Sequence, residues 1–383
     1  MPEIIRLATG CLRVKVERSA MPLRELTGFA ARNNPKRGFL FLSRVLGKHV
    51  PVRPALMRQT HALLASGIMR SGPPPSPLLV VGMAETATAL GHGVFEALAG
   101  DGARGIFLNT TRYQIDLPRL TFTESHSHAS THYLHLPQGK NLRAALEAAR
   151  TLVLVDDEMS TGNTFVNLVK ALRRSVPRLS EIVIATLLDW LAPEARQQLR
   201  LRMPCPVRFV SLLQGGFSFT PNPDYRFTAP ACSEALGAVR AALPAHPCGR
   251  SGISHCHRYS VEEQAKRLRL PPGEKCGPLL VLGTGEFMYE PYLLARHLEN
   301  SGYDVEFQAT TRSPILPGAD VSSVFHFKDN YGERIDNFLY NVHPEKYERS
   351  FLCYETGELP GEHTLPQQLG GDILLFSDPE AAA

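Results

Sequence analysis

No stretch of the 383-residue chain is apolar enough for long enough to cross a bilayer, and no charged-then-apolar leader opens it. Cysteine is sparse: seven residues, an odd number, scattered without a CxxC pair. That pattern excludes a disulfide framework and gives the expectation of reduced thiols in a cytoplasmic protein. A dominant charge is missing too. Lys and Arg number 41 against 37 Asp and Glu, for a net charge of +4 and a pI near 8.7. So mild a bias suits small anionic substrates and argues against nucleic acid. Tryptophan occurs once, at Trp190. What remains, 43% hydrophobic and 20% charged, is the composition of an ordinary globular protein, and the length is enough for two or three cores.

The stretch Leu152–Thr164 reads L-V-L-V-D-D-E-M-S-T-G-N-T. Four apolar residues predict a short buried strand of a parallel sheet, with Asp156 and Asp157 at its C-terminal end and an amphipathic helix over Phe165–Arg174 after a small-residue turn. Ligands of open α/β sheets bind at that end of the strands. The amides of Ser160, Thr161, Gly162, Asn163 and Thr164 open a helix, whose dipole favours an anion such as phosphate. The two carboxylates repel that phosphate but accept hydrogen bonds from sugar hydroxyls or hold a divalent cation. A polyol with a terminal phosphate uses both halves.

This segment resembles the phosphoribosyl pyrophosphate (PRPP) signature of the type I phosphoribosyltransferases. The resemblance implies that Asp156 and Asp157 meet the ribose hydroxyls and Mg²⁺, and that residues 160–164 wrap the 5′-phosphate.

A second strand–turn–helix precedes it: Leu78–Val81, the turn Gly82-Met83-Ala84-Glu85-Thr86-Ala87, then a helix over Thr88–Leu98. Beside the first motif, Gly82–Thr86 resembles the pyrophosphate loop of the same class, with Arg112 as a further donor. Glu85 is read either as a metal neighbour or as a helix cap. The polar insert Asn109–His135 holds four histidines, but their spacing fits no closed zinc site. The preferred expectation, taken from the resemblance, is a lid that closes over pyrophosphate with His126 and His128 as donors.

Farther along, Glu181–Leu188 and Val207–Leu213 predict two more strands, ending at Asp189-Trp190 and at Gly215-Gly216-Phe217. By position Trp190 and Phe217 are candidates to meet the acceptor, although a lone Trp after a strand more often belongs to the core. The basic stretch Ala31–Val50 interleaves Arg32, Lys36, Arg37, Arg44, Lys48 and His49 with Phe39–Leu42. It reads as a buried element with basic flanks, or as the lining of an anion site.

Residues 246–259 lack periodicity and read as a linker between a first domain, 1–245, and a second, 260–383. Cys248, His255, Cys256 and His257 in it are too close together to close a tetrahedron. The second domain opens with the strand Leu279–Leu282, the turn Gly283–Phe287, a helix over Pro291–Asn300 and the strand Val305–Ala309. Its pattern echoes the first: V-V-G-M-A-E leads to T-T-R at 110–112, and V-L-G-T-G-E leads to T-T-R at 310–312. A genuine echo places a small anion near Gly283, Gly285, Glu286, Thr311, Arg312 and Ser313.

Taken together with Asn34–Leu40, Val45–His49, Thr311–Pro314, Asp329–Gly332 and Asn337–Asn341, these blocks resemble a two-domain family: a phosphoribosyltransferase followed by the domain named for its T-R-S-P motif, found with tellurite-resistance and stress-response genes. The resemblance implies an α/β fold, a type I phosphoribosyltransferase-like parallel sheet flanked by helices, plus a second smaller α/β domain. It implies PRPP and a base-like acceptor as substrates, Mg²⁺ as cofactor, and a homo-oligomer. A PRPP or nucleotide sensor without turnover, and the reverse cleavage of a nucleotide by pyrophosphate, are the alternative functions.

Overall fold

The structure, a computed structural model, describes residues 2–34, 37–123, 131–227, 249–257 and 260–376. The first half holds β1 (Glu3–Leu7), β2 (Gly10–Ser19), β3 (Thr27–Ala31), β4 (Phe39–Ser43), β5 (Leu78–Gly82) and β6 (Gly105–Asn109). It continues with β7 (Arg119–Thr123), β8 (Thr131–His135), β9 (Thr151–Met159), β10 (Glu181–Asp189), β11 (Val207–Pro221) and β12 (Ile253–Ser254). Helices α1 (Leu23–Leu26), α2 (Pro54–Arg70), α3 (Thr88–Gly100), α4 (Lys140–Ala148), α5 (Asn163–Leu172) and α6 (Pro193–Leu201) lie between them. The second half adds α7 (Glu262–Arg267), β13 (Leu279–Gly283), α8 (Tyr289–Asn300), β14 (Val305–Ala309), β15 (Val324–Lys328), β16 (Asp336–Tyr340), β17 (Arg349–Tyr354), α9 (Leu365–Leu369) and β18 (Asp372–Leu375).

Strand β9 forms because Leu152, Val153, Leu154 and Val155 are all fully buried, two facing each layer of helices. Burial of each such side chain is worth about 1.5–3 kcal/mol, so the strand is anchored before its polar end begins. Its sheet runs β1-β2-β11-β10-β9-β5-β6-β12, with β11, β10, β9, β5 and β6 parallel. Asp156, Asp157 and Glu158 are half-buried residues just before the buried Met159 that ends β9, still inside the strand, which runs farther than its apolar core alone predicts.

The echo between the domains is a repeat of architecture. The second sheet runs β14-β13-β17-β18, all parallel, in the same order as β6-β5-β9-β10. A hairpin sits at the same place in each: β7–β8 after β6, and β15–β16 after β14. The register aligns the copies, since Gly82 pairs with Asn109 as Gly283 pairs with Ala309. Met83-Ala84-Glu85 thus correspond to Thr284-Gly285-Glu286. Val81 pairs with Leu154 as Leu282 pairs with Leu352, so Asp156-Asp157 correspond to Tyr354-Glu355.

The equivalent helices α3 and α8 pack on one another. His92 stacks on Tyr289 at 3.6 Å, and Glu96 binds both the Tyr289 hydroxyl and the Arg296 guanidinium. Val52, Met57 and Ala89 of the first half belong to the hydrophobic core around α8 and β14, so the two domains share apolar interior.

Three elements differ from the sequence reading. Gly215-Gly216-Phe217, read as following the strand Val207–Leu213, lies within β11, which continues antiparallel to β2 beyond a bulge at Gln214/Gly215. There Gly215 is needed, because a Cβ would stand 2.2 Å from the Lys15 carbonyl. The insert 109–135 is a β-hairpin where described, with Thr111 bridging to Tyr133. Residues 249–257, read as linker, contribute β12 to the edge of the first sheet and bury Arg250.

Candidate active site

The ends of β5 and β9 and the starts of α3 and α5 meet at one edge of the first sheet. Met83 N donates to Val155 O at 2.9 Å, and Thr110 N donates to Gly82 O at 2.9 Å, which pins the turn Gly82–Thr86 between the neighbouring strands. Ala84 N donates to Thr110 Oγ1 at 2.8 Å. Gly82 must be glycine: a Cβ there would come within 2.8 Å of Ala87 O. Thr86 Oγ1 donates to Asp157 Oδ1 at 3.0 Å, so the turn and the acid pair face the same space. Asp156 Oδ1 accepts from Asp157 N at 2.9 Å, which orients the first acid from its own backbone.

Gly162 opens α5 with φ +70°, and its α-carbon lies against Leu199, whose Cδ1 would be 2.0 Å from an added Cβ. The left-handed turn brings Ser160, Thr161 and the first amides of α5 to the strand end, while Asn163 Oδ1 accepts from Arg202 at 2.7 Å. Ser160, Asn163 and Thr164 are half-buried and Thr161 is exposed, which suits a loop open to a ligand from one side.

Glu85 does not act as a helix cap. It is buried and paired with the fully buried Lys48, at 2.8 Å. Burial by itself would raise its carboxyl, but the ammonium of Lys48 and the guanidiniums of Arg112 and Arg312 outweigh it and hold the pKa at about 2. Lys48 Nζ also donates to Gly285 O at 2.6 Å, so one ammonium joins the two matching turns.

The second-domain cluster lies in this junction. Glu286 accepts from Thr111 Oγ1 at 2.5 Å, from Arg112 N at 2.9 Å and from Arg250 Nε at 3.1 Å. Gly285 N donates to Thr310 Oγ1 at 2.9 Å, the counterpart of the Ala84–Thr110 bond. Arg312 binds the Tyr113 hydroxyl, and Ser313 N donates to Thr311 Oγ1. Gly283, Gly285, Glu286 and Thr311 are buried, and Arg312 and Ser313 are half-buried.

Trp190 and Phe217 are near each other, 5.7 Å between centroids, but inside an aromatic cluster. Trp190 is buried and stacks on Phe41 at 4.8 Å. The core reading of the lone Trp is the one its surroundings match. His126 and His128 lie outside the described residues, as does Cys248; His132 and His135 are buried in β8. Among the described residues no three His, Cys, Asp or Glu side chains converge as a metal site. Mg²⁺ is held through one or two carboxylates plus substrate oxygens rather than by a protein cage. Asp156 and Asp157 fit such a role in kind.

Sequence reasoning missed Glu158 and Arg37. The Arg37 Nη2 donates to both Glu158 oxygens, at 2.6 and 2.9 Å, which ties the β3–β4 loop to the end of β9. Burial pushes the Glu158 carboxyl up, against the pull of Arg37. The signal was there: a third acid after the pair, and a basic residue flanking an apolar strand.

The profile of the phosphoribosyl transferase family matches residues 26–216. That of the TRSP domain, C-terminal to this transferase domain, matches residues 247–369. The fold and site therefore define a phosphoribosyltransferase, a pentosyltransferase by class. The chain belongs to the phosphoribosyltransferase family in which a TRSP domain follows the transferase domain. No curated protein matches it. Solved structures it is similar to include adenine phosphoribosyltransferase of Rhodothermus marinus, at 19% identity and TM-score 0.33, over 50% of this chain and 96% of that one. Another is the Giardia lamblia enzyme in complex with 9-deazaadenine, at 16% identity and TM-score 0.35, over 51% and 98%. The Trypanosoma brucei enzyme with AMP, pyrophosphate and ribose-5-phosphate shows 14% and 0.34, over 50% and 79%.

Proposed function

We propose that the chain transfers ribose 5-phosphate from PRPP to a nitrogenous, base-like acceptor and releases pyrophosphate. The observation that carries this reading is the hydrogen bond from Thr86 to Asp157, which sets the turn Gly82–Thr86 beside an acid pair followed directly by the N-terminus of α5. In this reading Asp156 and Asp157 bind the ribose hydroxyls. Ser160, Thr161, Gly162, Asn163 and Thr164 hold the 5′-phosphate. Gly82, Met83, Ala84, Glu85, Thr86 and Arg112 surround the pyrophosphate. Mg²⁺, held by Asp156 and Asp157 with substrate oxygens, supplies charge neutralisation at the leaving group.

The acceptor nitrogen forms its bond to ribose C1 as the bond from C1 to the pyrophosphate oxygen breaks, the electron pair leaving on pyrophosphate. The chain's own groups orient the sugar and stabilise developing charge; the reading needs no covalent enzyme intermediate. The hairpin β7–β8, with His126 and His128 between its strands in sequence, acts as the lid that keeps water from the cation. Domains at 1–245 and 260–383 joined by 246–259, a cytoplasmic setting and a homo-oligomer complete the proposal.

Titration with PRPP and Mg²⁺, followed by pyrophosphate release with a panel of bases, tests it. Asp157→Asn is expected to lower turnover by at least about 10²-fold with an unchanged melting profile. Unaltered PRPP affinity and turnover in that variant would overturn the assignment.

A further inference from the structure

The turn assigned above to pyrophosphate is held from outside its own domain. Lys48 Nζ stands between Glu85, at 2.8 Å, and the Gly285 carbonyl, at 2.6 Å. Thr88, the first residue of α3 after the turn, donates through Oγ1 to the Glu286 carbonyl at 3.3 Å. The Glu286 carboxylate reaches the neighbouring strand end: Oε2 accepts from the Thr111 hydroxyl at 2.5 Å, and Oε1 from Arg112 N at 2.9 Å. Thr110, beside them, accepts from Ala84 N of the turn itself. Both pieces of chain read as meeting pyrophosphate, residues 82–86 and Arg112, therefore rest on Gly285 and Glu286 of the second domain.

The hold is reciprocal. Arg312 binds the Tyr113 hydroxyl, one residue past the first T-T-R, and its guanidinium acts on Glu85 together with that of Arg112. Glu286 is 7% exposed. A carboxylate so buried makes charge-assisted hydrogen bonds, which are shorter and stronger than neutral ones. It also pairs with Arg250 Nε at 3.1 Å, and Arg250 is anchored in turn by both oxygens of Glu355. The 5′-phosphate loop leans on its own domain instead, with Asn163 bound to Arg202 and Gly162 against Leu199. The two halves of the PRPP site thus have different supports.

Resting on the PRPP reading above, we propose that Glu286 is a positioning residue for pyrophosphate. It fixes the Arg112 backbone through its carboxylate and the start of α3 through its carbonyl. The second domain in this way completes the pyrophosphate half of the site without touching the ligand. A carboxylate suits the task because Arg112 N, the Thr111 hydroxyl and Arg250 Nε are all donors, and an ionised acid offers acceptor capacity on both oxygens.

The test uses the full chain with Mg²⁺, titrated with PRPP and separately with ribose 5-phosphate, two ligands that differ by the pyrophosphate group alone. Glu286→Asp keeps the charge beside Arg250 but draws the carboxylate back by one methylene from Thr111 and Arg112. It is expected to weaken PRPP binding by about 10–100-fold, the scale of a lost hydrogen bond to a charged group, and ribose 5-phosphate binding by no more than about twofold. Thr111→Val leaves Glu286 and its ion pair in place and removes one donor from the other side. It is expected to weaken PRPP by about 3–10-fold with the same selectivity, and it decides the matter if Glu286→Asp does not fold. Unchanged PRPP affinity in the folded variant would overturn the inference. An equal loss for both ligands would overturn it too, since a general loosening of the fold spares neither half of the site. A wild-type chain that binds no PRPP would instead remove the reading beneath it.

Discussion

The two sheets of this chain share a strand order and diverge at the end of one strand. In the first copy β9 carries Asp156 and Asp157 near its C-terminal end, and Asp157 accepts a hydrogen bond from a threonine of the neighbouring turn. In the second, β17 ends in Tyr354 and Glu355. Tyr354 is buried against His363, and Glu355 is held by Arg250 at 2.7 and 3.0 Å and by the Tyr331 hydroxyl at 2.5 Å. The small-residue loop Ser160–Thr164 has no match after β17, where Glu358 and Glu362 stand instead. The same architecture thus sets Asp157 against a neighbouring turn in one copy and commits Glu355 to an internal ion pair in the other. An acid at a strand end beside a small-residue loop is placed for a ligand, and one matched to a buried cation stabilises the fold.

That contrast can be broken from either side. The greatest loss of stability is expected from Arg250→Met, which removes the guanidinium that pairs with both Glu286 and Glu355 in a buried junction. Removing one partner of a buried pair costs about 3–5 kcal/mol, so melting should fall by many degrees. By contrast, Asp157→Asn is expected to act on turnover with the fold intact.

Acid should weaken the junction in a defined window. The folded pKa of Glu85 is depressed to about 2, below its ordinary 4.5. Its contribution is therefore present above pH 4.5 and lost as pH falls toward 2, an effect of about 3 kcal/mol by linkage. Denaturation followed from pH 6 to 2 should show that loss, and Lys48→Met should flatten the slope.

Gly162→Ala is expected to cost about 1–2 kcal/mol for a left-handed alanine, besides displacing Leu199. It should weaken PRPP binding in titration more than the matching change at Gly361, where an added methyl meets nothing. The smallest effect belongs to the exposed pair Arg334–Glu362 of the second copy. Arg334→Ala should change stability by about 0.5 kcal/mol or less in the same melts.

Much of this was legible in the chain. Runs such as Leu78–Val81, Leu152–Val155 and Leu279–Leu282 are continuous apolar tetrads, and a tetrad between turn signals has few ways to be buried other than as a central parallel strand. The glycine turn and small-residue loop carry their chemistry locally, so their positions could be read without partners. The repeat was visible as two short matches because the turn and T-R residues do the same local bonding in each copy. What stayed hidden depends on distance along the chain. Lys48 looked like a basic flank, since its acid is 37 residues away and its carbonyl partner 237 residues away. Arg37 looked like a member of the same flank, for its carboxylate lies 121 residues on. The continuation of β11 past Leu213 stayed hidden because two glycines weaken a strand signal, while the close approach that Gly215 allows appears only once β2 lies beside it.

The short strand β12 has one more effect. It returns to the edge of β6 just before the second copy begins, so that copy starts its path already clasped to the first sheet. Because both halves belong to one molecule, their encounter is unimolecular, with an effective concentration set by chain length rather than by abundance. Dilution, which would drive separate subunits apart, leaves this union intact.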